Sequence, residues 1–182
     1  MAQLQPREML SSRFLRRLLV AAILACATTA PLAQEAGHLP HADDFAALAK
    51  EARARRAPIV IAFVQASCNY CAIAKRDYLV PMHRDAGWRK RIVMREVDLD
   101  RRAPFRDFNG TATFPSDFSR RYGVNRVPTV VVVNHRGELL APPIVGLLTE
   151  DFYGFYLEEA IAAGIAKLSA AASQGGAGDT SR

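Results

Sequence analysis

Pro58-Ile59-Val60-Ile61-Ala62-Phe63-Val64-Gln65-Ala66-Ser67-Cys68-Asn69-Tyr70-Cys71 is the stretch on which the fold turns. Pro58 to Val64 is almost continuously apolar, the pattern of a central strand covered on both faces. Gln65-Ala66-Ser67 leads out of it into two cysteines separated by two residues. Ala72 to Val80 then supports a helix, with Pro81 near a kink or end. The pair therefore falls at a junction between a buried strand and a helix.

Upstream, Asp43 and Asp44 can cap a helix, and Phe45, Leu48 and Ala49 give it an apolar stripe, so a helix is expected near Asp44–Arg56 and Pro58 stops it. Downstream, Arg91 to Asp98 reads as a second strand. Residues 101–115 form the least regular stretch, with Phe105, Phe108 and Phe114 expected to cover the core, a substrate surface being the other reading. Ser116 to Tyr122 reads as a short helix capped by Ser116, with Gly123 as its stop. Thr129 to Val133 is strand-like, Asn134-His135-Arg136-Gly137 is a turn, and Glu138 to Val145 returns antiparallel, with an edge position at Pro142-Pro143. Thr149 is placed to cap a last helix whose expected buried stripe is Phe152, Tyr156, Leu157, Ile161 and Ile165; packing is expected for Tyr153 and Phe155 as well. Residues 34–42 read as a flexible linker, 43–168 as one domain and 169–182 as a disordered tail. Parallel pairs joined by helices and closed by a hairpin give a three-layer α/β sandwich.

The N-terminus has a different character. Arg13, Arg16 and Arg17 precede the apolar run Leu18 to Ala25 and then small residues, the layout of a secretory signal over residues 1–33. The run is shorter than the roughly 20 residues that cross a bilayer. Cleavage after Ala33 or Ala36 would release a soluble protein. Ile23-Leu24-Ala25-Cys26 also looks like a lipobox ending at residue 25, in which Cys26 would be lipidated and tie the chain to a membrane. Both routes lead to a periplasmic location, outside the reducing cytosol.

The net charge is +6, from 24 basic and 18 acidic residues, and half of that excess lies in the leader, where Arg7, Arg13, Arg16 and Arg17 stand against Glu8. The clusters Arg53, Arg55, Arg56 and Arg89, Lys90, Arg91 lack an aromatic stacking platform, so they read as solvated surface and no nucleic-acid partner is expected. Three cysteines are too few for a disulfide scaffold, and the spacing of Cys68 and Cys71 points to a working pair.

At the start of a helix the first thiol of such a pair meets free N–H groups and the positive end of the helix dipole, which favour the thiolate. The second cysteine lies one turn on, placed to resolve a mixed disulfide. Cys68 is therefore the candidate nucleophile and Cys71 the resolving thiol, with the Cys68–Cys71 disulfide as the redox centre and no cofactor or metal implied. The other reading of the pair is half of a copper or zinc site, as in a metallochaperone. No second CxxC exists, and His83 and His135 lack the usual paired spacing.

The segment Pro58–Val80, together with Arg121-Tyr122-Gly123-Val124-Asn125-Arg126-Val127-Pro128-Thr129, resembles the thioredoxin superfamily over roughly Asp43 to Leu168. That resemblance implies a thioredoxin fold, an α/β/α sandwich with a mixed central sheet, and a thiol–disulfide oxidoreductase. It implies that Pro128 is cis and lies beside the dithiol, with the Val127 backbone pairing to an extended substrate and Tyr70 in the contact dipeptide. A looser similarity is to periplasmic thioredoxin-like proteins associated with sulfur oxidation. The chain departs from cytosolic thioredoxins in three places. Ala62 stands where they carry a buried Asp, Ser67 replaces a Trp, and Asn69-Tyr70 replaces Gly-Pro. Glu96, aligned with a family lysine, is the candidate acceptor for the Cys71 proton. The expected partners are protein thiols and disulfides, with the thiol domain of an inner-membrane reductase as electron donor.

Overall fold

Strand β1 (Ile59–Val64) is buried at all six positions and forms the middle of the molecule. The structure, a computed structural model, describes residues 38–147 and 149–175. Helix α1 (Phe45–Arg55) leads into β1. The Asp44 carboxylate caps it by accepting the Ala47 N–H at 2.8 Å, and Arg56 ends it in the left-handed conformation. Strand β2 (Val93–Asp98) runs parallel to β1, with Ala62 opposite Glu96. Strands β3 (Phe105–Arg106) and β4 (Ala112–Thr113) form a separate ribbon. Strand β5 (Thr129–Val133) is antiparallel to β1 on its other side, and β6 (Ile144–Val145) closes the edge in the order β2-β1-β5-β6.

Between β1 and β2 lie α2 (Asn69–Ala74), a π-helical turn (Lys75–Leu79), α3 (Val80–Arg84) and α4 (Ala86–Arg91). Helix α5 (Pro115–Arg121) precedes β5, and α6 (Glu150–Gly175) ends the described chain. The π-turn has a local cause. Pro81 has no N–H to donate and its ring would strike the carbonyl four residues back, so the helix widens just before it. Val80 N–H reaches Lys75 O, five residues away.

Alternation along the strands assigns the two cores. Val60, Ala62, Val64, Met94, Val130 and Val132 face α2 and α6, where Cys71, Ala74, Tyr153, Leu157 and Ile161 cover them. Ile59, Ile61, Phe63, Val93, Val131 and Val133 face the opposite way, under α1 and α5. On that second side Phe45 stacks on Phe118 at 4.5 Å, with Phe105 and Phe108 against the same pair. The result is the expected three-layer α/β/α sandwich with a mixed sheet.

Several boundaries differ from the sequence reading. Residues 38–42 belong to the fold and are not linker. Leu39 and Ala42 are buried, Glu96 N–H donates to Pro40 O at 3.0 Å, and Ala42 N–H donates to Glu96 O at 3.0 Å. This short strap extends the sheet beyond β2, because the outer edge of β2 offers backbone groups that must be paired. At the other end α6 continues through Gly175, past the expected start of the tail at 169. Ser116 is not the cap of α5; Phe114 holds that position and Pro115 opens the helix. Glu138–Val145 pairs only at Leu139 and at Ile144–Val145, because two prolines interrupt it. Phe114 is exposed, and so are Phe152, Phe155 and Tyr156. The buried stripe of α6 is Tyr153, Leu157, Ala160 and Ile161, rotated from the expected one. Residues 1–33 and Cys26 lie outside the described residues.

Candidate active site

The chain leaves β1 at Val64 and turns once before α2 begins. Two contacts from the loop after β2 hold that turn: Asp100 accepts Ala66 N–H at 2.9 Å and Gln65 Nε2 at 3.1 Å. Cys68 follows as the N-cap of α2, and its Sγ accepts the Cys71 backbone N–H at 3.1 Å. A sulfur therefore occupies the place that Ser or Asp usually takes at a helix start, facing donors that no other backbone group can satisfy.

Cys68 and Cys71 are joined by a disulfide, with Cα atoms 5.2 Å apart. Cys68 is half-buried, and Cys71 is buried behind it at 1% exposure. Tyr70, between them in sequence, is exposed. Facing the pair, the Val127–Pro128 peptide is cis, and Val127 O lies 3.9 Å from Cys68 Sγ. Thr129 Oγ1 donates to Arg126 O at 2.7 Å and fixes the turn into that peptide.

Glu96 lies on the face of β2 that looks toward α2, beside Ala62, and is 3% exposed. Two cationic or ionisable partners reach it. Lys75 Nζ is 3.2 Å from Oε2, and His41 Nδ1 is 3.3 Å from Oε1. The Lys75 contact is off hydrogen-bonding geometry, so among the described residues buried Oε2 has an ion-pair neighbour but no hydrogen-bond donor. A cleft of about 260 Å3 connects these groups to the dithiol, with Cys68, Ala72, Lys75, Glu96, His41 and Asp98 among its walls. A more apolar cleft, of about 440 Å3, lies between β6 and α6, and neither cysteine lines it.

Residues 45–161 match the family described as the thioredoxin-like domain. The chain belongs to that family. Solved structures similar to this thioredoxin-like chain include one from a study of the thiol-resolving mechanism of yeast mitochondrial 1-Cys peroxiredoxin, at 17% identity, covering 68% of this chain and 93% of that one, TM-score 0.46. A second is Trxlp from Edwardsiella tarda, at 17% identity, covering 65% and 95%, TM-score 0.45. A third is the periplasmic thioredoxin SoxS from Paracoccus pantotrophus, at 18% identity, covering 58% and 97%, TM-score 0.40. No curated protein sequence matches it.

A dithiol in this fold, with one sulfur at a helix N-terminus and the other within bonding distance, makes the thioredoxin-like chain a thiol–disulfide oxidoreductase. The structure brings Cys68, Cys71, Val127 and Pro128 together, with Tyr70 beside them and Glu96 across the cleft. Three residues of the site escaped the sequence reading. Lys75 lies one helical turn after Cys71, a spacing that could have flagged it. Asp100 falls between the second strand and the irregular stretch, and His41 was read only as linker, since nothing local marks either. Among the described residues no group of three or more His, Cys, Asp or Glu is arranged to hold a metal, and no helix is long and apolar enough to cross a membrane.

Proposed function

We propose that this oxidoreductase is exported to the periplasm and works there as a reductant of protein disulfides. The observation that carries the exchange chemistry is the asymmetry of the pair: Cys68 reaches the surface at the N-cap of α2, while Cys71 is sealed behind it. In the reduced protein the Cys68 thiolate attacks one sulfur of a substrate disulfide. The substrate S–S bond breaks, its other sulfur leaves as a thiolate and takes a proton from solvent, and a mixed disulfide remains on Cys68. Cys71 then gives its proton to the Glu96 carboxylate and attacks Cys68 Sγ. The second substrate sulfur leaves and is protonated. Two electrons have passed to the substrate, and the cysteines are left as a disulfide.

The substrate segment lies along the Val127 backbone beside Pro128, with Tyr70 as an exposed apolar contact. Glu96 supplies the carboxylate that cytosolic thioredoxins place at the Ala62 position. Re-reduction falls to the thiol domain of an inner-membrane reductase, and the link to sulfur oxidation rests on resemblance in sequence. Export rests on the Arg13–Ala25 pattern, with release or lipidation at Cys26 as its two outcomes.

Insulin reduction, with Cys68→Ser as control, tests the exchange. The dithiol potential against glutathione tests its direction: a value near thioredoxin's, about −270 mV, supports a reductant, and one near −120 mV overturns that role in favour of an oxidant. Fractionation of cells expressing the full chain tests export.

A further inference from the structure

We propose that His41 is the solvent end of a proton path that starts at Cys71 and passes through the Glu96 carboxyl. The inference rests on the exchange reaction above and adds the route by which its proton leaves. A carboxyl that takes a proton from a buried thiol takes it from the weaker acid, so the thiolate builds up only as that proton is passed on, within the resolving step itself. Glu96 is 3% exposed, so little of its carboxyl meets water directly. Its backbone is pinned between two neighbours in the sheet: Ala62 on β1, and His41 on the strap, which bridges to Glu96 in parallel. Laterally paired residues of parallel strands share a face, so His41 projects to the same side as Glu96.

The His41 ring has one nitrogen, Nδ1, 3.3 Å from Glu96 Oε1, and its side chain is 52% exposed. One end thus touches the carboxyl while the ring reaches solvent. The other groups on this cleft are Lys75, Asp98 and His38. Lys75 is a poorer carrier, since an ammonium only donates, whereas an imidazole accepts on one nitrogen and donates from the other. In the relay step Glu96 gives the proton to His41 Nδ1, the ring releases the proton on Nε2 to water, and no electrons move. His41 acts through Glu96 and is a positioning residue.

The test uses the reduced full chain and an aromatic disulfide that liberates a coloured thiolate. The first equivalent reports attack by Cys68, and the second reports resolution by Cys71. His41→Ala is expected to leave the first phase unchanged and to slow the second by about a hundredfold, the lower end of general acid–base effects. Added imidazole restores the second phase, and an equal ionic strength of sodium chloride does not. In Glu96→Gln the second phase is slow and imidazole has no effect, and the double variant is no slower than Glu96→Gln. His41→Asn, which keeps a planar polar side chain, gives the same slowing and serves where His41→Ala fails to fold. An unchanged second phase in either His41 variant overturns the proposal. So does slowing of His41→Ala without rescue. Absence of both phases in the wild type overturns the exchange reading itself, whereas two normal phases indifferent to His41 overturn the relay alone.

Discussion

The Cys71 backbone N–H points at Cys68 Sγ, 3.1 Å away, so the helix that carries one cysteine of the pair is capped by the other. Each substitution of the pair should then have a different outcome. Cys68→Ser reduces exchange with insulin to the uncatalysed background. Cys71→Ser retains the first attack and accumulates a covalent substrate adduct, read as a mass increase that dithiothreitol removes. Equal adduct formation by both variants would contradict the assignment.

Two tyrosines separate the effect of a made hydrogen bond from that of an unmade one. Burial pushes both hydroxyls above their ordinary range. Tyr122 donates to Gly137 O at 3.1 Å, whereas the buried Tyr153 hydroxyl has no hydrogen-bond partner among the described residues. Tyr122→Phe should cost about 1 kcal/mol in urea unfolding, and Tyr153→Phe should be neutral or stabilising, because it removes a desolvated group that gained nothing.

Acid should weaken the fold through His83. Burial first, then the charges of Arg95, Arg89 and Arg84, hold its imidazole below the ordinary value of 6.5. The unfolded chain then binds the proton more readily than the folded one, so stability rises with pH through the window below 6.5 and falls on acidification. Wild type should lose more stability than His83→Gln between neutral pH and pH of about 5, measured by denaturant titration at both.

The rotated stripe of α6 makes its own prediction. Leu157 is fully buried against the sheet face that holds the dithiol, while Phe155 is 62% exposed. Leu157→Ala should cost about 3 kcal/mol. Phe155→Ser should change stability by no more than about 0.5 kcal/mol. A large loss in the second variant would show that the phenylalanine is covered in solution.

Sequence reading succeeded where the signal was local. Pro58–Val64 and Thr129–Val133 were legible as strands because nearly every side chain is apolar, and burial on both faces requires that. Asp44 was legible as a cap because a carboxylate before an apolar stripe has few other uses. Periodicity failed on α6, where aromatics recur on two faces and either satisfies the same spacing. It failed again at residues 38–42, where Leu39 and Ala42 are too few to declare a strand.

By itself the sequence determined that a strand would end in a cysteine pair opening a helix, since apolar runs, capping and thiol spacing act over a few neighbouring residues. Only the tertiary structure decided what surrounds Glu96. Lys75 comes from the helix above, His41 from a strap before the first helix, and Ala62 from the adjacent strand. Their meeting depends on sheet register and on which way each face turns, and both are set by packing between segments distant in the chain.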